Sequence, residues 1–134
     1  MTTRNVALAA VISVLVAAGS LVAAPMVKAD IEFECKPGCW GAAAASSSTG
    51  QEVMRLNYHT RNEAEDAAVL WCDVLGKTND CQVLTSGLGC LSIAVSGDGK
   101  RFAGGVALFQ DAADAAALDA AGPGSNVDLR DCNG

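Results

Sequence analysis

The chain has 134 residues, the length of a single domain. Nine Lys and Arg against fifteen Asp and Glu give a net charge of −6, which argues against nucleic acid as a partner, because holding phosphates needs a basic face. Hydrophobic residues make up 51% of the chain, but 25 of them are Ala and only six are aromatic, so any core is built mostly from small side chains.

Residues 1–29 read as a secretory signal. Arg4 supplies a positive start, Val6 to Val22 is an apolar run, and Val27-Lys28-Ala29 places small residues at −3 and −1 of a cleavage site before Asp30. The rival reading is a membrane anchor. The run sits at the lower limit of the roughly 17–25 residues a spanning helix needs, and Gly19 and Ser20 weaken it further. Cleavage is therefore expected, with no stable membrane insertion afterwards. The chain would then keep 105 residues, with seven basic and fifteen acidic side chains.

Residues 30–38 form an N-terminal extension that carries Cys35. Cys39, Cys72, Cys81, Cys90 and Cys132 follow, and six cysteines in a small exported chain read as a disulfide framework. Six cysteines allow 15 pairings, and their number alone does not choose among them. A zinc site is the weaker reading, because zinc wants two close ligand pairs or added His, and His59 is the only His. No metal and no cofactor is expected.

Self-comparison divides the remainder into two units, about 39–89 and 90–134. Residues 63–70 (EAEDAAVL) match residues 111–118 (DAADAAAL) at an offset of 48, and Cys39-Trp40-Gly41 aligns with Cys90-Leu91-Ser92. Each unit reads strand, turn, strand, helix, strand. The first strand, Gly41 to Ser47, is supported only by the repeat, since four consecutive Ala favour helix by propensity. Ser48-Thr49-Gly50 marks a turn, and Val53 to Tyr58 follows as a strand. Thr60 to Glu63 form a capping box that opens a helix. Its expected inward face holds Ala64, Ala67, Ala68, Trp71, Cys72 and Leu75, and Gly76 ends it. In the second unit Gly97-Asp98-Gly99 is the hairpin turn and Phe102 to Leu108 the strand. Gly104-Gly105 within that strand signals a bulge or a close backbone approach. A second helix over about 111–121 would lie on the sheet through Ala115, Ala116 and Ala120. The expected fold class is α+β: two tandem ββαβ-like repeats in one small disulfide-stapled domain, residues 39–134, with a mainly antiparallel sheet and two helices.

These residues carry a resemblance. Trp40-Gly41 followed by Ala, the helix start over Thr60 to Glu65, Ala67-Ala68 leading to Cys72, Cys81-Gln82-Val83, Cys90 before an Ile-Ala-Val strand, and the terminal Cys132-Asn133 resemble the small exported bacterial proteins grouped as domain of unknown function 4189, common in actinobacteria. The resemblance implies a secreted or cell-envelope location and a fold, and no catalytic residue set. The family often has bulkier residues where Ala43 to Ala45 stand, and the Cys35/Cys39 pair looks like an addition. Aligning the two units then suggests three bridges. Cys72–Cys81 is the first, because Ala120 and Asn126 replace both cysteines together in the second unit. Cys90–Cys132 is the second, and Cys35–Cys39 remains.

No catalytic constellation stands out. His59 lies at a strand-to-helix junction without a nucleophile or an orienting group beside it. Ser46, Ser47 and Ser48 lack a nucleophile-elbow pattern. Glu63, Glu65, Asp66, Asp111, Asp114 and Asp119 read as solvated helix faces, and Asp128, Arg130 and Asp131 as an end strand without calcium-loop spacing. Gly97 to Arg101 lacks P-loop spacing. Trp40 is expected in the core or against a disulfide. The expected function is a non-enzymatic exported binding module with an unidentified protein or envelope partner. The alternatives are a proteinase inhibitor presenting the Cys35–Cys39 loop, and a small hydrolytic or thiol-redox enzyme.

Overall fold

The structure is a computed structural model, and it describes residues 38–134. The expected signal segment and Cys35 lie outside the described residues. The described chain runs β1 (Trp40–Ala45), β2 (Glu52–Tyr58), α1 (Arg61–Gly76), β3 (Gln82–Leu88), β4 (Cys90–Val95), β5 (Phe102–Ala107), α2 (Gln110–Ala121) and β6 (Asn126–Cys132). The strands form two antiparallel three-stranded sheets, ordered β2-β1-β3 and β5-β4-β6. The domain is thus α+β and stapled, as expected, and its antiparallel pairing is divided between two sheets.

Side-chain alternation then fixes four layers. Ala42, Ala44 and Val53 face α1, whose inner side is Ala64, Ala68 and Cys72. The opposite face of that sheet, with Ala43, Met54, Leu56 and Leu84, packs on Leu91, Ile93 and Phe102 of the second sheet. The far side of the second sheet receives α2 through Ala94, Ala103, Ala117 and Ala121. The order is therefore helix, sheet, sheet, helix. Each sheet is covered on both faces, so the usual alternation of apolar and polar residues disappears from the central strands.

This burial explains β1. Ala42, Ala43 and Ala44 are fully buried, and the strand pairs on both sides, with β2 and with β3. Alanine's preference for helix, a few tenths of a kcal/mol per residue, is small beside a paired backbone and burial on two faces. The Gly104-Gly105 pair is a close approach and not a bulge, since β4 and β5 pair in unbroken register. A Cβ on Gly105 would lie 2.2 Å from the Ala113 carbonyl oxygen and 2.5 Å from the Ala117 nitrogen. One on Gly104 would lie 2.7 Å from Thr85 of the facing sheet.

Both halves have the same strand order, and the pairing gives their correspondence. Ser46 and Ser96 open equivalent turns, each donating its closing hydrogen bond at 2.9 Å: Ser46 N to Gln51 O and Ser96 N to Arg101 O. The first strands therefore correspond at an offset of 50, so Trp40, not Cys39, matches Cys90. A bulge in β2, where Asn57 adopts φ 68°, shifts the helices to an offset of 49. The buried helix residues Ala64, Ala68 and Cys72 match Ala113, Ala117 and Ala121. The second helix accordingly docks through these alanines, while Ala115, Ala116 and Ala120 are exposed. In the first helix Trp71 and Leu75 also turn outward, against expectation. The capping box is present, with Thr60 Oγ1 accepting from Glu63 N and Glu63 Oε2 accepting from Thr60 N. Lys77, in the left-handed conformation, caps the other end, so Gly76 is the last helical residue.

Candidate functional site

The cysteines of the described residues are disulfide-bonded. Cys72 bonds Cys81 and Cys90 bonds Cys132, as expected, and Cys39 is also disulfide-bonded. Its expected partner, Cys35, lies outside the described residues. The half-to-half correspondence corrects the substitutes: Ala121 and Ser125, not Ala120 and Asn126, occupy the places of Cys72 and Cys81. Cys90 opens β4, the central strand, and faces Cys132 in register on β6. Trp40 and Leu88, paired across β1 and β3, hold the equivalent place in the first half. The two bridges thus staple the two halves at different positions.

The helix carboxylates are also largely spoken for. Glu65 accepts from Ser86 Oγ at 2.5 Å and from Arg61 Nε at 2.9 Å. Asp114, at the equivalent place, accepts from Ser92 Oγ, from Gln110 Nε2 at 3.0 Å and from Arg130 Nη1 at 3.1 Å. It faces inward, contrary to its expected solvated position, and ties α2 to β4 and β6. Asn133 anchors the chain end: Asn57 N donates to its Oδ1 at 2.9 Å, and its Nδ2 donates to Gly89 O at 3.0 Å. His59 is exposed at the β2–α1 junction. Among the described residues no group of three or more His, Cys, Asp or Glu is placed to hold a metal ion.

A cleft of about 290 Å³ lies where the β1–β2 turn meets β5 and α2, lined by Asp80, Leu84, Lys100, Arg101 and Phe102 among others. Two of its polar groups, Asp80 and Arg101, already serve the fold. Hydrogen bonds from Ser46, Thr78 and Ser48 hold the Asp80 carboxyl well below the usual carboxylate range. Arg101 Nη2 donates to Ala121 O at 3.4 Å. Asp98 is likewise lowered, first by Ser96 Oγ and then by the Lys100 amide. These bonds lock the two turns in place.

Two features among the described residues stand out, and both were missed in the sequence. The first is the outer side of α1, where Leu70, Trp71, Val74 and Leu75 are 60%, 43%, 57% and 56% exposed. The Arg55 guanidinium stacks on the Trp71 ring at 5.2 Å. The second is Glu52, on the inter-sheet face of β2. Its Oε1 is buried without a hydrogen-bond partner. Burial, then hydrogen bonding to the Asp128 carboxyl and the charge of that carboxyl, push Glu52 up to about 8.

The family model for a domain of unknown function (DUF4189) matches residues 40–132, nearly all of the described chain. The chain belongs to this family. Neither a curated protein nor a solved structure matches it. The matched span in this DUF4189 protein begins at β1 and ends at Cys132, so it contains both sheets, both helices and both of the bridges described above.

Proposed function

We propose that this DUF4189 protein is an exported, non-enzymatic module that binds a protein partner through the outer side of α1. The observation that carries this reading is the exposed group Leu70, Trp71, Val74 and Leu75 on a helix whose inner side is fully seated. A helix that only covers a sheet gains nothing from four large apolar residues in water, whereas clustered aromatic and aliphatic side chains supply most of the energy of a protein contact. The Arg55–Trp71 stack adds a rigid cationic edge to that cluster. Export is supported by the apolar N-terminal segment with its small-residue cleavage pattern and by two structural disulfides, which suit an oxidising compartment. No helix among the described residues is long and apolar enough to cross a membrane.

The reading is tested with Leu70→Asp combined with Val74→Asp, since both side chains are more than half exposed and their replacement leaves the core intact. The expected result is an unchanged circular dichroism spectrum and melting midpoint, with loss of the partner that the parent protein retains from envelope or culture medium. Retention of the same partner by the double variant removes α1 from the interface.

A further inference from the structure

In the correspondence between the halves, Glu52 of β2 takes the place of Phe102 of β5, because Ala45 pairs with Glu52 where Val95 pairs with Phe102. Asp128 of β6 takes the place of Leu84 of β3, since Val83 and Thr85 flank Leu84 at the same irregularity where Val127 and Leu129 flank Asp128. Leu84 and Phe102 both pack on the core between the sheets. One end of the inter-sheet layer is therefore closed by an apolar pair and the other by two carboxyls.

Among the described residues the surroundings supply no countercharge. β1 beside Glu52 contributes only alanines, Ala43 to Ala45. The ionisable groups of α1, Arg61, Glu63, Glu65, Asp66 and Asp73, lie across the sheet from Glu52, and Arg55 of β2 turns to that same side onto Trp71. On β6, Arg130 is held by Asp114, and the Asp131 carboxylate accepts from Cys132 N at 2.8 Å. Asp128 is the charge that acts on Glu52.

We propose that Glu52 and Asp128 form a proton-operated latch between the two sheets, closed while Glu52 keeps its proton and released when that proton passes to water and leaves two carboxylates facing each other across β2 and β6. A protonated Glu52 can donate to Asp128, which makes the pair a polar substitute for Leu84 and Phe102. Ionised, it is a like-charge pair at the sheet edges, partly buried at Glu52 and exposed at Asp128. The folded protein binds this proton more tightly than the unfolded chain, where Glu52 titrates at 4.5, and it holds the proton to about 8. The latch therefore contributes fully below pH 4.5, and its contribution is lost as pH rises through 8.

The direct test is a carboxyl carbon NMR titration of the disulfide-bonded protein, joined to amide exchange measured at pH 6 and pH 9 and corrected for intrinsic base catalysis. Glu52 is expected to titrate near pH 8, and Asp128→Asn is expected to move that midpoint down by about one unit or more. Corrected exchange of β2 and β6 amides should rise between the two pH values in the parent protein, by at least about threefold, and stay flat in Glu52→Gln, which keeps a neutral side chain of the same shape. An ordinary carboxylate midpoint for Glu52 in the parent protein overturns the latch, and this arm needs no variant to fold. So does an equal rise in Glu52→Gln.

Discussion

Single positions in this domain are constrained by contact distance more than by chemistry. Gly105 is the sharpest case, because an added methyl would meet the Ala113 carbonyl and the Ala117 nitrogen, backbone atoms of α2 that cannot rotate away. Gly105→Ala must lift α2 from β5, and a cost of about 3 kcal/mol, at the upper end of overpacking effects, is expected as a lowered denaturant midpoint. An unchanged midpoint would mean that α2 does not lie so close. The sequence already showed that two glycines in an apolar strand meant a bulge or a close approach, and the unbroken register selects the approach. It also showed the capping box, because that motif is complete within four residues. Glu52 and Asp128 were not legible. They are 76 positions apart in the sequence, and their equivalence to an apolar pair appears only with the offsets set by β-pairing.

Among the elements, β1 and α1 show how covering layers override local preference. Four alanines form a strand because neighbours pair with both of its edges and layers cover both of its faces. In α1 the spacing of apolar residues suggested one broad inward face, yet only Ala64, Ala68 and Cys72 are buried. Small residues let the helix sit close to the sheet, and a close helix narrows the strip that can be covered. Leu70, Trp71, Val74 and Leu75 are left outside it. The same small residues yield less hydrophobic stabilisation per side chain, which raises the weight of the staples. The Cys72–Cys81 bridge closes a loop with a sequence separation of 9 and the Cys90–Cys132 bridge one of 42. In the loop-entropy relation these are worth about 3 and about 4 kcal/mol. Replacing each pair by Ala should lower the melting midpoint in that order, with the Cys90/Cys132 replacement the more damaging. The reverse order would show that the local tie of α1 to β3 matters more than the tie of the chain end to β4.

For the whole molecule, the sequence reading captured the element types, their order and two of the bridges, because turns, caps and cysteines are local signals. It missed the face-to-face stacking of the sheets. Alternation is the usual guide to which strand face is buried, and alternation vanishes where Ala and Gly fill strands covered on both sides. The resulting four-layer body presents a seated helix with an apolar outer side. Binding through that side is the central claim, and site-specific photocrosslinking during export tests it most directly. A photoreactive residue replaces Val74 on α1, with the exposed Ala116 on α2 as the control position. A discrete protein adduct at position 74, absent at 116 and lost with Leu70→Asp, is the expected result. An adduct at 116 alone, or none at 74, would contradict it.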